Sequence, residues 1–253
     1  MSLTGAAFPV LAFDELDSTN AEARRRAEAG EAGPLWITAA RQTAGRGRRG
    51  RAWETGAGNL AATLLITLDK SAAEASLSAF VTALAVSDLA IDWVPEALVK
   101  LKWPNDVMID GRKVSGVLIE SGKTLDGRLW LAIGVGVNLR TPPAESERPA
   151  TALFGHLNPA MSEPPTPAEA LERLSQSFQH WLAVWDGQGT AAILAAWTAR
   201  AVGMGGPCTA RLDHETVEGI AEGLDADGAL RLRLPDGSLR RITAGDVFFP
   251  HAH

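Results

Sequence analysis

Arg41-Gln42-Thr43-Ala44-Gly45-Arg46-Gly47-Arg48-Arg49-Gly50-Arg51-Ala52-Trp53 is followed, about fifty residues on, by Lys100-Leu101-Lys102-Trp103-Pro104-Asn105-Asp106-Val107, which continues to Gly111-Arg112-Lys113-Val114-Ser115-Gly116. The first stretch holds no acid and little apolar surface besides Trp53, so it cannot pack as a core. Its glycines also carry a large ordering entropy. Arginine supplies fork-shaped, permanently charged donors suited to phosphate and carboxylate. Ordering about ten residues costs roughly 10–20 kcal/mol, and a charge-assisted hydrogen bond returns roughly 1.5–3 kcal/mol. Several such bonds must form together, with Trp53 burying apolar area. The stretch is therefore expected to be disordered without ligand and ordered over a bound anion. The second stretch gathers Lys102, Lys113, an amide and a carboxylate around a rigid Trp-Pro pair. Asp106 is its least marked member, since a turn cap would explain it.

A solvated basic turn and a hairpin of exposed polar residues are the plain alternatives. The alternation of glycine with arginine weighs against the first. Clustering around Trp103-Pro104, next to strand glycines, weighs against the second. Gly45, Gly47 and Gly50 match a dinucleotide-binding glycine pattern in letters only, because arginines fill the intervening positions and no helix is expected to follow. Gly122-Lys123-Thr124 lacks the earlier glycine of a nucleotide-binding P-loop, since position 117 is Val117.

Outward from these stretches, residues 8–13 and 35–40 read as strands. Ser18-Thr19-Asn20 offers N-caps to a helix reaching about residue 29, and capping alone would explain all three. A helix N-terminus is also an anion site, so both roles are compatible. Residues 60–68 read as a strand and 71–93 as an alanine-rich helix. Short strands follow over 98–102, 107–110, 113–120 and 129–137, with a hairpin signal at Asp110-Gly111. Gly134 and Gly136 remove side chains at alternate positions of the last strand, a sign of close approach by a ligand or backbone. Residues 141–167 read as a long surface loop. Helices are expected over the stretch from Leu171 to Trp185 and over 190–201. Residues 203–207 read as a hinge-like linker to strands over 209–212, 217–221, 229–234 and 239–243. The expected class is α+β, with domains at 1–203 and 204–253.

The chain has 253 residues, 46% of them hydrophobic, enough for a sizeable core. A net charge of -6 argues against nonspecific nucleic-acid binding by the whole surface, so the basic stretch is a local site. A nucleic-acid module built on that stretch is disfavoured further by its lack of interleaved aromatics. One cysteine, Cys208, excludes an internal disulfide and has no obvious histidine partner for nucleophilic work. A reducing, cytoplasmic location is the default. Residues 1–10 carry no secretory signal pattern, and no uncharged apolar run reaches membrane-spanning length. The histidines are scattered, and His251 and His253 read as a tail.

Taken together, Asp17-Ser18-Thr19-Asn20, the glycine-arginine stretch with Trp53, Lys102-Trp103-Pro104-Asn105-Asp106, Arg112-Lys113 with Ser115-Gly116, and Gly134-Val135-Gly136-Val137-Asn138 resemble the biotin protein ligases. These motifs span most of residues 17 to 138, and the strands after about 205 resemble the family's SH3-like C-terminal domain. The resemblance implies a class II synthetase-like catalytic domain with a mixed sheet and flanking helices, plus a small β-barrel. It implies activation of biotin by ATP to biotinyl-5′-AMP, with Mg²⁺ carried on the ATP phosphates and no protein-bound metal. Transfer to a lysine of a biotin carboxyl carrier domain, such as that of acetyl-CoA carboxylase, then follows. No protein nucleophile is needed.

By position, the resemblance makes Lys113 the bridge between the biotin carboxylate and the α-phosphate, with Arg48 beside it in catalysis. Ser18, Thr19, Asn20, Gln42, Gly45, Arg46, Gly47, Arg48, Lys113, Gly116 and Gly134 fall to biotin. Arg46, Arg48, Arg49, Arg51, Trp53, Lys102, Asn105 and Asn138 fall to ATP and the adenylate, and Phe154 is a guess for the adenine-stacking ring. Ala52 departs from the basic residue common there. Catalytic motifs starting by residue 17 leave no room for the helix-turn-helix domain some members carry, so a ligase without repressor function is expected. No nucleic-acid or membrane partner is implied, and monomer and homodimer both stay open. Lipoate ligases and octanoyl transferases share the fold. The latter would need a Cys-Lys pair in the core, which Cys208 does not supply.

Overall fold

The computed structural model describes residues 7–124, 126–146 and 148–250. His251, His253 and most of the N-terminal stretch read above lie outside them. The larger unit is a seven-stranded mixed sheet in the order β1-β2-β3-β7-β6-β5-β4. Its strands are β1 (Val10–Leu16), β2 (Leu35–Gln42), β3 (Leu60–Leu68), β4 (Val99–Lys102), β5 (Asp106–Ile109), β6 (Arg112–Lys123) and β7 (Leu129–Val137). Helix α1 (Thr19–Glu28) crosses between the parallel pair β1 and β2, and the other neighbours are antiparallel.

Strands β3 and β7 are buried at nearly every residue because both faces of the sheet are covered, so neither alternates polar with apolar. On one face pack α3 (Ser78–Trp93), which follows the short turn α2 (Ala72–Ala75), and α4 (Pro167–Ala199). On the other face α1 lays Ala23 and Ala27 against Leu65, Trp130 and Ala132. The segment Ala72–Trp93 is long and apolar enough to cross a membrane, but it carries Glu74, Asp88 and Asp92 and is mostly buried here. Its last two acids are claimed by α4 and the residue after it: Asp88 accepts from Trp181 at 2.7 Å and Arg200 at 2.6 Å, and Asp92 accepts from Arg173. The two helices expected after residue 167 run as one element with a break at Gly189, whose φ of 79° a side chain would resist. A capping box of Thr166 and Glu169 starts it.

The smaller unit is a five-stranded antiparallel sheet in the order β11-β10-β9-β8-β12. It comprises β8 (Pro207–Arg211), β9 (Thr216–Leu224), β10 (Leu230–Arg233), β11 (Leu239–Ile242) and β12 (Asp246–Phe248). The last strand was not expected from the sequence. The stretch read as a hinge is pinned instead. Val202 N–H donates to Leu101 at 2.9 Å, Gly205 N–H to Ala221 at 2.7 Å, and Gly203 abuts the Phe249 ring. Apolar side chains of the second sheet, Leu230, Leu232 and Val247 among them, belong to the same core cluster as α3 and α4. Trp103 is buried at that junction, and its indole donates to the Gly228 carbonyl at 2.9 Å.

Candidate active site

The face of the sheet that carries α1 holds a row of small residues past the N-terminus of that helix. Register places Ala61, Gly136, Gly116, Asp106 and Lys102 in one row across β3, β7, β6, β5 and β4. The next row is Thr63, Gly134 and Leu118. Three glycines thus make a low floor, and a cavity of about 720 Å³ opens above it. The glycine-arginine stretch forms its roof as a tight hairpin. Arg46 bridges Ala52, and Gly47 N–H donates to Arg51 at 2.8 Å.

One end of the cavity is polar and uncharged. Ser18 is the N-cap of α1 but its side chain makes no cap hydrogen bond. Gln42 does that work from β2, accepting from Thr19 N–H at 2.8 Å, and its amide donates to Thr55 at 3.1 Å. Capping therefore does not account for the buried Ser18 hydroxyl, which lines the cavity. Asn20 lies over the backbone of Gly134, where a Cβ would come within 2.1 Å of its Oδ1. Gly134 is thus a seat for Asn20, not open room.

The other end is charged. Lys113 Nζ lies 2.5 Å from Asp106, which is buried, with Arg148 3.9 Å from the same carboxylate. A β-bulge aims Lys113. The β5–β6 register shifts between Val107 and Met108, leaving Val114 as the extra residue. Without it Lys113 would share a face with Ser115. With it, Val114 joins the core beside Val117 and the Lys113 amine comes within 3.0 Å of a Cβ position at Gly116. The Lys113 backbone is held from outside by Pro149 and Thr151, each at 2.9 Å. So the region 141–167 is not all surface loop: Thr151, Ala152 and Leu153 are buried, and Asn138 ties them down by donating to Thr151 at 3.0 Å.

The roof is fastened at both ends. Arg48 donates to Asn105 Oδ1 at 3.0 Å, and Asn105 donates to Val117 at 2.5 Å. Burial lowers the Arg48 pKa, with Asp106 and Asp246 opposing, and the guanidinium keeps its charge all the same. Trp53 lies flat on the glycine floor, its indole within 2.1 Å of a Cβ position at Gly136 and its ring centroid 5.7 Å from Lys113 Nζ. Arg51 and Arg49 turn to the second sheet, where Arg51 pairs with Asp246 on β12 and Arg49 with Asp213. Asp246 also holds Arg148 at 2.7 Å.

Burial alone would raise the Asp246 carboxyl, but hydrogen bonds from Arg51 and Arg148 outweigh it and hold the pKa at about 2, below the ordinary 3.8. A carboxyl depressed on folding contributes stability that is present above its unfolded value and is lost as pH falls through the folded one. Melting temperature should therefore fall between about pH 4 and about pH 2 partly through this group. Asp246→Asn should flatten that acid limb, and an identical limb in the variant would show that the grip carries no such linkage.

Most of the candidate residues are brought together. Ser18, Thr19, Asn20 and Gln42 line one end, while Arg46, Gly47, Arg48, Arg51 and Trp53 line the roof. Asn105, Lys113, Gly116, Gly134 and Asn138 complete the lining. Gly45, Arg49 and Lys102 do not line the cavity. A Cβ at Gly45 would strike the Trp53 carbonyl at 2.4 Å, so that glycine shapes the hairpin. Lys102 sits behind Asp106 with its amine 5.5 Å from the Phe248 ring, and burial lowers its pKa. Phe154 is exposed beneath Arg140 and not in the lining. Arg148 and Asp246 join the site although sequence reasoning gave them no role, and so do Asp106, read as the least marked member of its cluster, and Gly136, read as a point of close approach. Among the described residues no cluster of metal-ligating side chains occurs. Cys208 is buried, its thiol pushed up to about 11 by burial, and it does not line the cavity.

Residues 12–138 match the Biotin/lipoate A/B protein ligase family, and residues 204–249 match the Biotin protein ligase C terminal domain. The biotin–[acetyl-CoA-carboxylase] ligase of Paracoccus denitrificans is 42% identical over 239 residues, covering 92% of this chain and 97% of that protein. The bifunctional ligase/repressor of Bacillus subtilis is 28% identical over 92% of this chain and 72% of its own length. A biotin protein ligase from Aquifex aeolicus, solved in complex with biotin and ATP, has the same fold, with a TM-score of 0.75 at 24% identity over 95% of this chain and 99% of that one.

Proposed function

The chain belongs to the biotin/lipoate A/B protein ligase family, and we propose that its cavity joins biotin to ATP and passes the activated biotin to a lysine of a biotin carboxyl carrier domain. The observation that carries the reading is the position of Lys113: it sits where the uncharged polar end meets the arginine roof. A ureido ring suits the Ser18, Thr19, Asn20 and Gln42 end, which offers neutral donors and acceptors. The valeryl chain runs from there along the cavity beside Trp53, and its carboxylate reaches Lys113. Mg-ATP enters as a substrate, its α-phosphate between Lys113 and Arg48 and its other phosphates toward Arg46 and Arg51.

The carboxylate oxygen attacks the α-phosphorus, the bond to the bridging oxygen breaks, and pyrophosphate leaves with Mg²⁺. Two anions must meet for this, and fixed cations offset their repulsion and the charge of the transition state. The lysine amine of the carrier then attacks the acyl carbon. AMP leaves with the electron pair, and the amide forms with loss of a proton. The adenylate hydrolyses in water, so a closed roof protects it between the steps.

Pyrophosphate release with Mg-ATP, compared for biotin, lipoate and octanoate and with the acid adenylate identified by mass, tests the reading. Release with biotin is expected; release with lipoate or octanoate instead would overturn the substrate. We further propose that the roof opens and closes with ligand, and that the division at 203/204 separates the catalytic unit from the C-terminal one. Cleavage by trypsin at Arg46 to Arg51 should slow about tenfold or more with biotin plus ATP, and equal rates would sink the gating idea. We also infer a ligase without repressor activity, which the cover of 97% of the Paracoccus ligase supports, and place its work in the cytoplasm.

A further inference from the structure

The Arg148 guanidinium spans the two acids of the charged end with separate nitrogens. Nη2 lies 2.7 Å from Asp246, and Nη1 lies 3.9 Å from Asp106. Asp246 has other cations, since Arg51 pairs with the same carboxylate and Arg49 lies 3.7 Å from it. Asp106 has fewer. It is 6% exposed, and among the described residues its ion-pair partners are Lys113, 2.5 Å from one oxygen, and Arg148, facing the other. Lys102 and Arg48 feel its charge without pairing with it. Backbone contacts fix Arg148 in this place. The Pro149 carbonyl, next in the chain, accepts from Lys113 N–H at 2.9 Å, and Ser146 Oγ donates to the Arg148 carbonyl at 2.6 Å.

A pair of Lys113 with Asp106 is electrically neutral toward whatever approaches it. The reaction nevertheless asks Lys113 to offset a carboxylate and a phosphate at once. Its amine has three protons and can stay beside Asp106, but its single charge is already matched there. We propose that Arg148 is a positioning residue for Lys113: by closing on Asp106 it matches that carboxylate and leaves the charge of Lys113 to the substrates. A closure of about 1 Å brings Nη1 to hydrogen-bond distance while Nη2 keeps Asp246. Asp106, flanked on both oxygens, then holds the amine in place without cancelling it. The inference rests on the reading of Lys113 as the bridge between the biotin carboxylate and the α-phosphate. Arg148 touches no substrate and acts only through Asp106.

The test is a pair of double-variant cycles on the full chain. Arg148→Gln is expected to lower kcat/KM for biotin-dependent pyrophosphate release about tenfold. In an Asp106→Asn background no buried charge is left to match, and the same change should cost less than about twofold. In an Asp246→Asn background it should still cost about tenfold. The Kd of biotinol-5′-AMP, an unreactive analogue of the adenylate, is carried through the same cycles and decides between the outcomes where a variant turns over too slowly to time. An undiminished loss in the Asp106→Asn background would overturn the proposal, because Arg148 would then act on the nucleotide directly. Cancellation in the Asp246→Asn background alone would overturn it as well, marking a role in joining the two sheets. So would an unchanged kcat/KM in Arg148→Gln. Wild-type protein that releases no pyrophosphate with biotin would instead sink the biotin reading itself.

Discussion

Lys113→Ala should lower biotin-dependent pyrophosphate release by about 10³-fold, the upper end of what removal of one preorganised donor at a developing charge costs. The loss belongs in kcat, because the amine is placed where carboxylate and phosphate meet and neither anion alone uses it fully. A structural explanation competes. Asp106 is buried, and losing Lys113 removes its nearest cation, leaving Arg148 at 3.9 Å. An uncompensated buried carboxylate destabilises the fold. The two effects separate in the double variant Lys113→Ala with Asp106→Ala, which removes both charges. Its melting temperature should return toward wild type while turnover stays lost. If turnover returns as well, Lys113 serves only the stability of its neighbourhood and the mechanism above is wrong.

Why a lysine at 113 faces the cavity was not readable from the sequence. The strand after Asp110-Gly111 was legible, and so was the turn, since Asp110 and Gly111 both adopt positive φ, 50° and 69°, as a two-residue hairpin of this kind requires. A period of two then puts Lys113 and Ser115 on one face. The extra residue at Val114 breaks that period, and nothing in the local letters Lys-Val-Ser-Gly announces it. The bulge is selected by packing, with Val114 drawn into the core, and by pairing of the Lys113 backbone with 149–151.

The same holds for the charged partners. Basic and glycine-rich letters mark the roof because its composition has no other use. Asp246 sits in a three-residue strand too short for any periodic signal, and it reaches Arg51 across 195 positions of chain. Arg148 lies in a stretch whose Pro, Ser and Glu content is that of an ordinary loop. The grip of Asp246 on Arg51 and Arg148 is therefore a property of how the two sheets meet, whereas Asp106 belongs to the contiguous motif that marks it. The motifs alone recovered the pocket floor, the polar end and the roof, which are built from contiguous segments.

Gly136→Ala is expected to reduce kcat/KM for biotin about 10²-fold while leaving the fold intact. Gly136 is central in β7, paired to Ala61 and Gly116, and its missing side chain points into the cavity. A methyl there would lie 2.1 Å from Cε2 of the Trp53 ring, closer than any real contact allows. The backbone of β7 is locked between two neighbours, so Trp53 must lift, and the roof lifts with it. Displacing catalytic groups by about 1 Å can cost about 10²-fold. The nearest atoms to that methyl all belong to Trp53, so the core on the other face is untouched and the melting temperature should change by only a few degrees. Trp53→Ala isolates the cause. In that background the seat is already empty, so adding Gly136→Ala should cost nothing further, a clear departure from additivity between touching residues. If the two losses instead multiply, Gly136 acts on the ligand directly, and the view of Trp53 as the piece that seats the roof on the glycine floor has to be abandoned.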